Sequence, residues 1–354
     1  MKRVLKRIIT VLICIVLVVT AAAAVLFRNE LRTLSSLRKV DDYGMFQISY
    51  YGDYGFDDFL EVGAKSDEDI EKFVTKRLLK GLPIDLGVTG DGCTAFVTYN
   101  DDNEFIYGRN FDFDYAPSLQ LFTKPDNGYA SVATVNLSFA GYDEKHLPNG
   151  LGIDSFLVLA APYLPFDGMN EKGVAMALLA VPEADGGFDP DKITLNTTTA
   201  IRLVLDKAAS VDEAVSLLQK YNIYFSGGIE CHYLIADASG KSVIVEYYDG
   251  AMQTVETKED FQIASNFIAY NDLKIGEGAT EFERYDAVMA AIESNGNRLS
   301  NTQALSLLAE VGGRAGDTDR LQWSALYNLT TGETKLFAHR NTENIISSRL
   351  ILSK

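Results

Sequence analysis

The sequence predicts an α+β domain of stacked antiparallel sheets faced by layers of helices, behind an N-terminal transmembrane or signal segment. Three observations predict it. Strand-like runs come in hairpin pairs, at 94–99 with 104–108, 231–237 with 242–248, and 322–329 with 334–339. Helical patterns are grouped, at 197–209 and onward from Ser210, then at 281–293 and 303–310, instead of alternating with strands one for one. The chain has 354 residues, 47% apolar and 23% charged, which is enough for a sizeable core and excludes disorder as a description of the whole.

The elements follow in order. Lys2, Arg3, Lys6 and Arg7 precede twenty uncharged residues, 8–27, close to the ~20 needed to cross a bilayer as a helix. The small residues Ala21 to Ala24 would also suit a signal peptidase. The segment therefore reads as an uncleaved anchor or a cleavable signal, with the basic flank cytoplasmic and the rest extracytoplasmic, anchored or secreted. Cys14 is a residue of that segment. The run 43–51 reads as a strand. Ser66 with Asp69 resembles a capping box, and Ile70, Phe73, Val74 and Leu78 then recur at helical spacing until Gly81 and Pro83 end the helix. Three glycines in 87–92 form an accessible loop and the one plausible boundary. The apolar runs 130–138, 156–161 and 173–181 read as buried strands. Ser210 with Glu213 marks a second capping box. Gly240 closes the turn of the 231–248 hairpin, 261–265 is a further strand, and Ser300 starts the last helix.

Composition narrows the function. The formal charge is −17, and residues 1–27 hold four cations and no acid, so the remainder carries −21. Such an anion suits a soluble exported domain and disfavours nucleic acid as a partner. Three Cys cannot build a disulfide scaffold, and three His make a multi-His metal site unexpected; no metal or cofactor is implied. Cys231 and His232 are neighbours on a strand and must face opposite ways, which argues against a thiol–imidazole dyad. Asn170 reads as a turn former, and His146 and His339 as loop and strand residues.

Cys93 stands where the glycine loop meets an apolar strand. A hairpin would return Arg109 and Asp112 to its side, where a cation lowers a thiol pKa and a carboxylate can orient an amine or the arginine.

Cys93-Thr94 followed by Gly108-Arg109-Asn110-Phe111-Asp112 resembles the nucleophile region of the linear amide C–N hydrolases. That is the choloylglycine hydrolase, penicillin V acylase and acid ceramidase group of N-terminal nucleophile (Ntn) hydrolases. The segments Asp167-Gly168-Met169-Asn170-Glu171-Lys172-Gly173, His232 to Glu246, Ala264-Ser265-Asn266 and Glu283-Arg284-Tyr285 agree with later family motifs in order. The similarity covers roughly residues 93–340. It implies an αββα four-layer sandwich of antiparallel sheets and three parts: a signal or anchor at 1–27, a pro-segment or small subunit at 28–92, and a catalytic domain at 93–354.

The resemblance also implies a mechanism. The chain would cleave itself between Gly92 and Cys93, freeing an α-amine of pKa ~8 that serves as the base for the adjacent thiol. Cys93 would attack the amide of an N-acyl substrate to form a thioester. Asp112 would hold the amine, Arg109 would stabilise the thiolate, Asn266 would donate to the oxyanion, and Arg284 would match the distal arginine. Bile salt hydrolases carry an Asn near the oxyanion after the central motif. Here Ala180 offers only its backbone N–H, which weakens the case for bile salts. The expected substrate is a small N-acyl amide with an apolar acyl part, and the 28–92 piece is expected to stay bound to 93–354 without a covalent link. Alternatives are bile salt hydrolysis, acyl transfer to an amine, and an exported binding domain without activity.

Overall fold

The structure, a computed structural model, describes residues 2–82, 84, 92–149, 152–315 and 318–353. The expected glycine loop falls outside these except for Gly92, as does Pro83.

Two sheets stack face to face. The larger runs in the order Arg38–Lys39, Met45–Ser49, Ser118–Thr123, Ser131–Asn136, Pro165–Asn170, Ala175–Ala180, Cys231–Ala236, Ser242–Tyr248, Ala251–Glu256. The smaller runs Gln262–Ala264, Cys93–Tyr99, Phe105–Asp112, Leu321–Asn328, Glu333–Ala338, Ile346–Arg349. Helices Thr197–Lys207 and Val211–Leu218 cover the outer face of the first, and Thr280–Ser294 and Asn301–Val311 that of the second. Strand alternation sorts the side chains. Cys93, Ala95 and Val97 join the core between the sheets, while Phe96 joins Val288, Ile292 and Leu308 under the outer helices. Gly108 is needed opposite Phe96, because a Cβ there would lie 2.5 Å from the Phe96 ring.

Local signals act in part as expected. Ser66 Oγ accepts from Asp69 N at the head of helix Asp67–Arg77, and Ser210 Oγ accepts from Glu213 N. The acids Asp69 and Glu213 take the N–H groups of Lys65 and Ala209, one residue before the cap, so neither expected capping box closes on the cap itself. Ser300 and Gln303 form a full capping box. Asn170 is the turn former expected: its Oδ1 accepts from Lys172 N and Val174 N, and its Nδ2 ties the turn to Leu205 O and Ala208 O.

Two expectations are corrected. The sheets are mixed, because Met45–Ser49 runs parallel to Ser118–Thr123. Long chain separates those strands, so no hairpin forces them antiparallel. The run 156–161 is not a strand but part of a 3₁₀ helix, Ile153–Tyr163. A short apolar run does not distinguish the two by itself, and Pro162 could not donate to a sheet ladder.

The segment before Cys93 is built into the common core. Phe46, Ile48, Phe56, Phe59, Ile70 and Val74 are all buried in the same cluster as Cys93. At ~1.5–3 kcal/mol per large apolar side chain, this burial amounts to on the order of 10 kcal/mol as an upper estimate. The single Tyr54 hydroxyl proton is shared between the two oxygens of the buried Asp206 carboxylate, each 2.8 Å away, and Arg202 Nη2 meets the same carboxylate at 2.8 Å. Helix Lys2–Leu26 leaves its described apolar side chains exposed, and by length and composition Lys6–Leu26 is able to cross a bilayer.

Candidate active site

The site forms where the two sheets face each other at the head of the Cys93 strand. Cys93 pairs with Phe111 and Ala95 with Arg109, so register alone puts the Arg109 side chain on the Cys93 face. Arg109 Nη2 donates to Cys93 Sγ at 3.7 Å and to Leu178 O at 3.3 Å. Its Nε lies 3.0 Å from Asp167 Oδ2, and both residues are wholly buried. Trp323 Nε1 and Tyr327 Oη donate to the same carboxylate at 3.0 and 2.5 Å.

Asp112 lies three residues from Arg109 on the same strand and points to the other side. Its Oδ1 accepts from Gly313 N at 2.8 Å and its Oδ2 lies 3.6 Å from Arg284 Nη1. Arg109 and Asp112 thus do not pair: each approaches the cysteine from its own face of the sheet. Asp112 also contributes its backbone, whose N–H donates to Gly92 O at 2.9 Å.

Asn266 is the hub. Its Oδ1 accepts from Cys93 N and from Arg284 Nη2, both at 2.6 Å, and its Nδ2 donates to Ala180 O at 2.8 Å. It is thus Asn266, and not Asp112, whose side chain meets the Cys93 nitrogen in this structure. The amide group expected to serve an oxyanion is engaged with the Ala180 carbonyl. Arg284 projects from the second turn of helix Thr280–Ser294 and sits against Gly92, where a Cβ would come 2.7 Å from Nη1.

Burial dominates the electrostatics. It pushes the Cys93 thiol above its usual value, although Arg109, Arg284 and the Ala180 N–H act to lower it. The simple expectation from a neighbouring cation is therefore reversed while the thiol remains 1% exposed. Burial likewise raises Asp112, against the pull of Arg284 and the Gly313 N–H. A cavity of about 570 Å³ opens beside Gly92, Asn266 and Arg284. Its wall carries Arg314 and Arg320 against Glu230 and Glu277, with Val181, Pro182 and Ile229 as the apolar share. This lining is more polar than expected for an acyl pocket.

Cys93, Arg109, Asp112, Ala180, Asn266, Arg284 and Gly92 therefore converge. Asp167 joins them without having been expected as a site residue, although it opens one of the motifs that carry the family resemblance. Cys231 and His232 face opposite ways: burial raises the Cys231 thiol to about 12, and His232 Nδ1 donates to Glu246 at 2.8 Å.

Two stacked sheets with helices on both outer faces are the layers of the Ntn-hydrolase fold. A conjugated bile acid hydrolase from Clostridium perfringens superposes with a TM-score of 0.53 at 18% identity, over 73% of this chain and 92% of that one. A penicillin V acylase from Agrobacterium tumefaciens gives 0.52 at 20% identity, over 74% and 88%. The chain belongs to the choloylglycine hydrolase family of linear amide C–N hydrolases, whose model matches residues 93–306. Among relatives, a bile salt hydrolase/transferase of Clostridium perfringens is 28% identical over 186 residues, 50% of this chain and 51% of that protein. A penicillin V acylase of Pectobacterium atrosepticum is 34% identical over 113 residues, 28% of this chain and 29% of that protein. The chain thus spans about half the length of these curated relatives or less.

Proposed function

We propose that this chain is a self-processing amidase that uses Cys93 as an N-terminal nucleophile on a small N-acyl amide. The observation that carries the reading is the shared grip on the Gly92–Cys93 peptide: Asn266 takes its N–H at 2.6 Å and the Asp112 N–H reaches its carbonyl oxygen at 2.9 Å. A peptide group held at both ends is poised for attack at its carbonyl.

In the first reaction Cys93 Sγ adds to the Gly92 carbonyl, with the Asp112 N–H supporting the developing oxyanion. Collapse breaks the C–N bond as the thiol's proton passes to the departing Cys93 nitrogen, and leaves Gly92 as a thioester on Cys93, which water hydrolyses. The freed α-amine, pKa ~8, lies within its own residue's reach of the thiol and serves as general base. Arg109 then faces the thiolate. In the second reaction the thiolate adds to the substrate carbonyl, the amine leaves with a proton from the α-ammonium, and water hydrolyses the thioester. Asn266 Nδ2 and the Ala180 N–H are the oxyanion donors once Asn266 lets go of Ala180 O. No metal or other cofactor is needed for these steps.

The names of the relatives offer conjugated bile acids and penicillin V as substrate classes. The charged cavity wall and the lack of an Asn at position 180 favour a polar N-acyl amide over a bile salt. Residues 28–92 remain as a bound small subunit, and helix Lys2–Leu26 tethers the protein at the outer face of a membrane or directs its export.

Intact-mass and N-terminal analysis of purified protein tests the reading. A fragment beginning at Cys93 is expected, absent in Cys93→Ala. A single chain after long incubation at neutral pH would sink it. A panel of penicillin V, a glycine-conjugated bile salt, an N-acylethanolamine and a long-chain N-acyl amino acid then sorts the substrate.

A further inference from the structure

Between Asn266 and Arg284 the chain forms a small hairpin, in which Phe267–Ile268 pairs with Ile275–Gly276. Glu277, Gly278 and Glu281 then line the cavity beside Arg284. The hairpin tip is conformationally costly. Asn271, Asp272 and Lys274 all take left-handed φ, at 51°, 59° and 51°, which non-glycine residues rarely adopt. A side chain from the other sheet ties the tip down. Glu246, wholly buried on strand Ser242–Tyr248, accepts from Ala269 N through Oε1 and from Tyr270 N through Oε2, each at 2.9 Å. His232 Nδ1, on the adjacent strand and also buried, donates to the same Oε1 at 2.8 Å. Its Nε2 meets no hydrogen-bond partner among the described residues.

We propose that Glu246, oriented by His232, is a positioning residue that clamps this hairpin and so fixes Asn266 and Arg284 against the Gly92–Cys93 peptide. The clamp spans the sheets: Glu246 and His232 belong to the larger one, whereas Asn266 lies two residues past a strand of the smaller one. Ala269 is three residues past Asn266, so an ångström of movement at the tip passes to the amide that takes the Cys93 N–H. Misplacement on that scale is enough to slow a positioned reaction many-fold. A buried carboxylate taking two consecutive backbone N–H groups is a strong, directional tie. The same pairing gives the otherwise unused buried histidine a role, because its Nδ1 carries the proton that holds Glu246 in place.

The inference rests on the reading of Asn266 and Cys93 above, and two readouts keep them apart. Hydrogen exchange on the full chain reads the clamp: the Ala269 and Tyr270 amides are protected in wild type and lose protection in Glu246→Gln, while the amides of strand Cys93–Tyr99 keep theirs. Time-resolved intact mass reads the consequence: the half-time of Gly92–Cys93 cleavage lengthens about tenfold in Glu246→Gln. His232→Asn, which keeps a donor near the Nδ1 position, restores most of the rate that His232→Leu loses. Should Glu246→Gln fail to fold, the two His232 variants and the wild-type exchange pattern decide. Ala269 and Tyr270 amides that exchange as fast as exposed loops overturn the clamp. So does a Glu246→Gln chain whose tip opens while cleavage keeps its wild-type rate. Asn266→Ala, run beside them, is expected to stop cleavage; cleavage at the wild-type rate there defeats the site reading and leaves the exchange result to judge the clamp.

Discussion

Arg109 Nε lies 3.0 Å from Asp167 Oδ2, and neither residue has measurable exposure. This pair joins the two sheets directly, because Arg109 belongs to the smaller and Asp167 to the larger. It leaves Nη2 of the same guanidinium on the Cys93 sulfur. The orientation of the cation that faces the thiol is therefore set from the opposite sheet, by a carboxylate that Trp323 and Tyr327 hold in turn. Asp167→Asn leaves a buried guanidinium without its countercharge, and breaking a buried pair from one side costs ~3–5 kcal/mol. Urea denaturation should show a loss of that order, with slower Gly92–Cys93 cleavage in the folded fraction. A loss under about 1 kcal/mol would mean that the pair is not what balances Arg109.

The sequence made the cysteine side of this arrangement legible and the carboxylate side illegible. Cys93, Arg109 and Asp112 lie on two adjacent strands, so a hairpin and a period of two suffice to bring them together. That both residues flank the cysteine while facing opposite ways follows from the same period. Asn266 and Arg284 could be placed only through resemblance, because long stretches of chain intervene. Asp167 needed the stacking of the sheets, and its surroundings disguise its strand. Pro165, Asp167 and Gly168 are poor strand formers, so the segment resembles a turn until burial by Trp323 and Val132 overrides propensity. The parallel strand 45–49 was legible as a strand but not in direction, since direction depends on how a long connection returns.

A second prediction concerns Gly92. A Cβ there meets Arg284 Nη1 at 2.7 Å, and that guanidinium is tied to Asn266 Oδ1 at 2.6 Å. Gly92→Ala should displace Arg284 and slow self-cleavage about tenfold, read by intact mass over time, without changing the melting temperature appreciably. Unaltered cleavage would show that Arg284 moves aside freely and does not position the peptide.

A third concerns the small piece. Its strand Met45–Ser49 lies inside the larger sheet, and Tyr54 reaches both oxygens of Asp206. After cleavage the 28–92 and 93–354 pieces should co-elute on a sizing column and separate only in denaturant. Tyr54→Phe removes this shared hydrogen bond to a charged group, worth ~1.5–3 kcal/mol, so it should lower the denaturant midpoint of separation. Pieces that part in plain buffer would refute the integral role of the segment.

The last concerns pH. Burial raises the Cys231 thiol to about 12, whereas an unfolded thiol titrates near ~8.5. Above ~8.5 the unfolded chain gives up this proton while the folded chain keeps it, so the unfolded state binds fewer protons and stability falls as pH rises. The fall from this one group approaches ~1.4 kcal/mol per pH unit and is absent below the unfolded value. Cys93 adds a slope of the same sign, because burial raises its thiol as well. Comparing wild type with Cys231→Ala isolates the first contribution, since Cys93 is common to both. Between pH 7.5 and 9.5, wild type should lose ~1.4 kcal/mol more than the variant by urea denaturation. Equal losses would place the folded Cys231 pKa near its ordinary value and remove burial as its determinant.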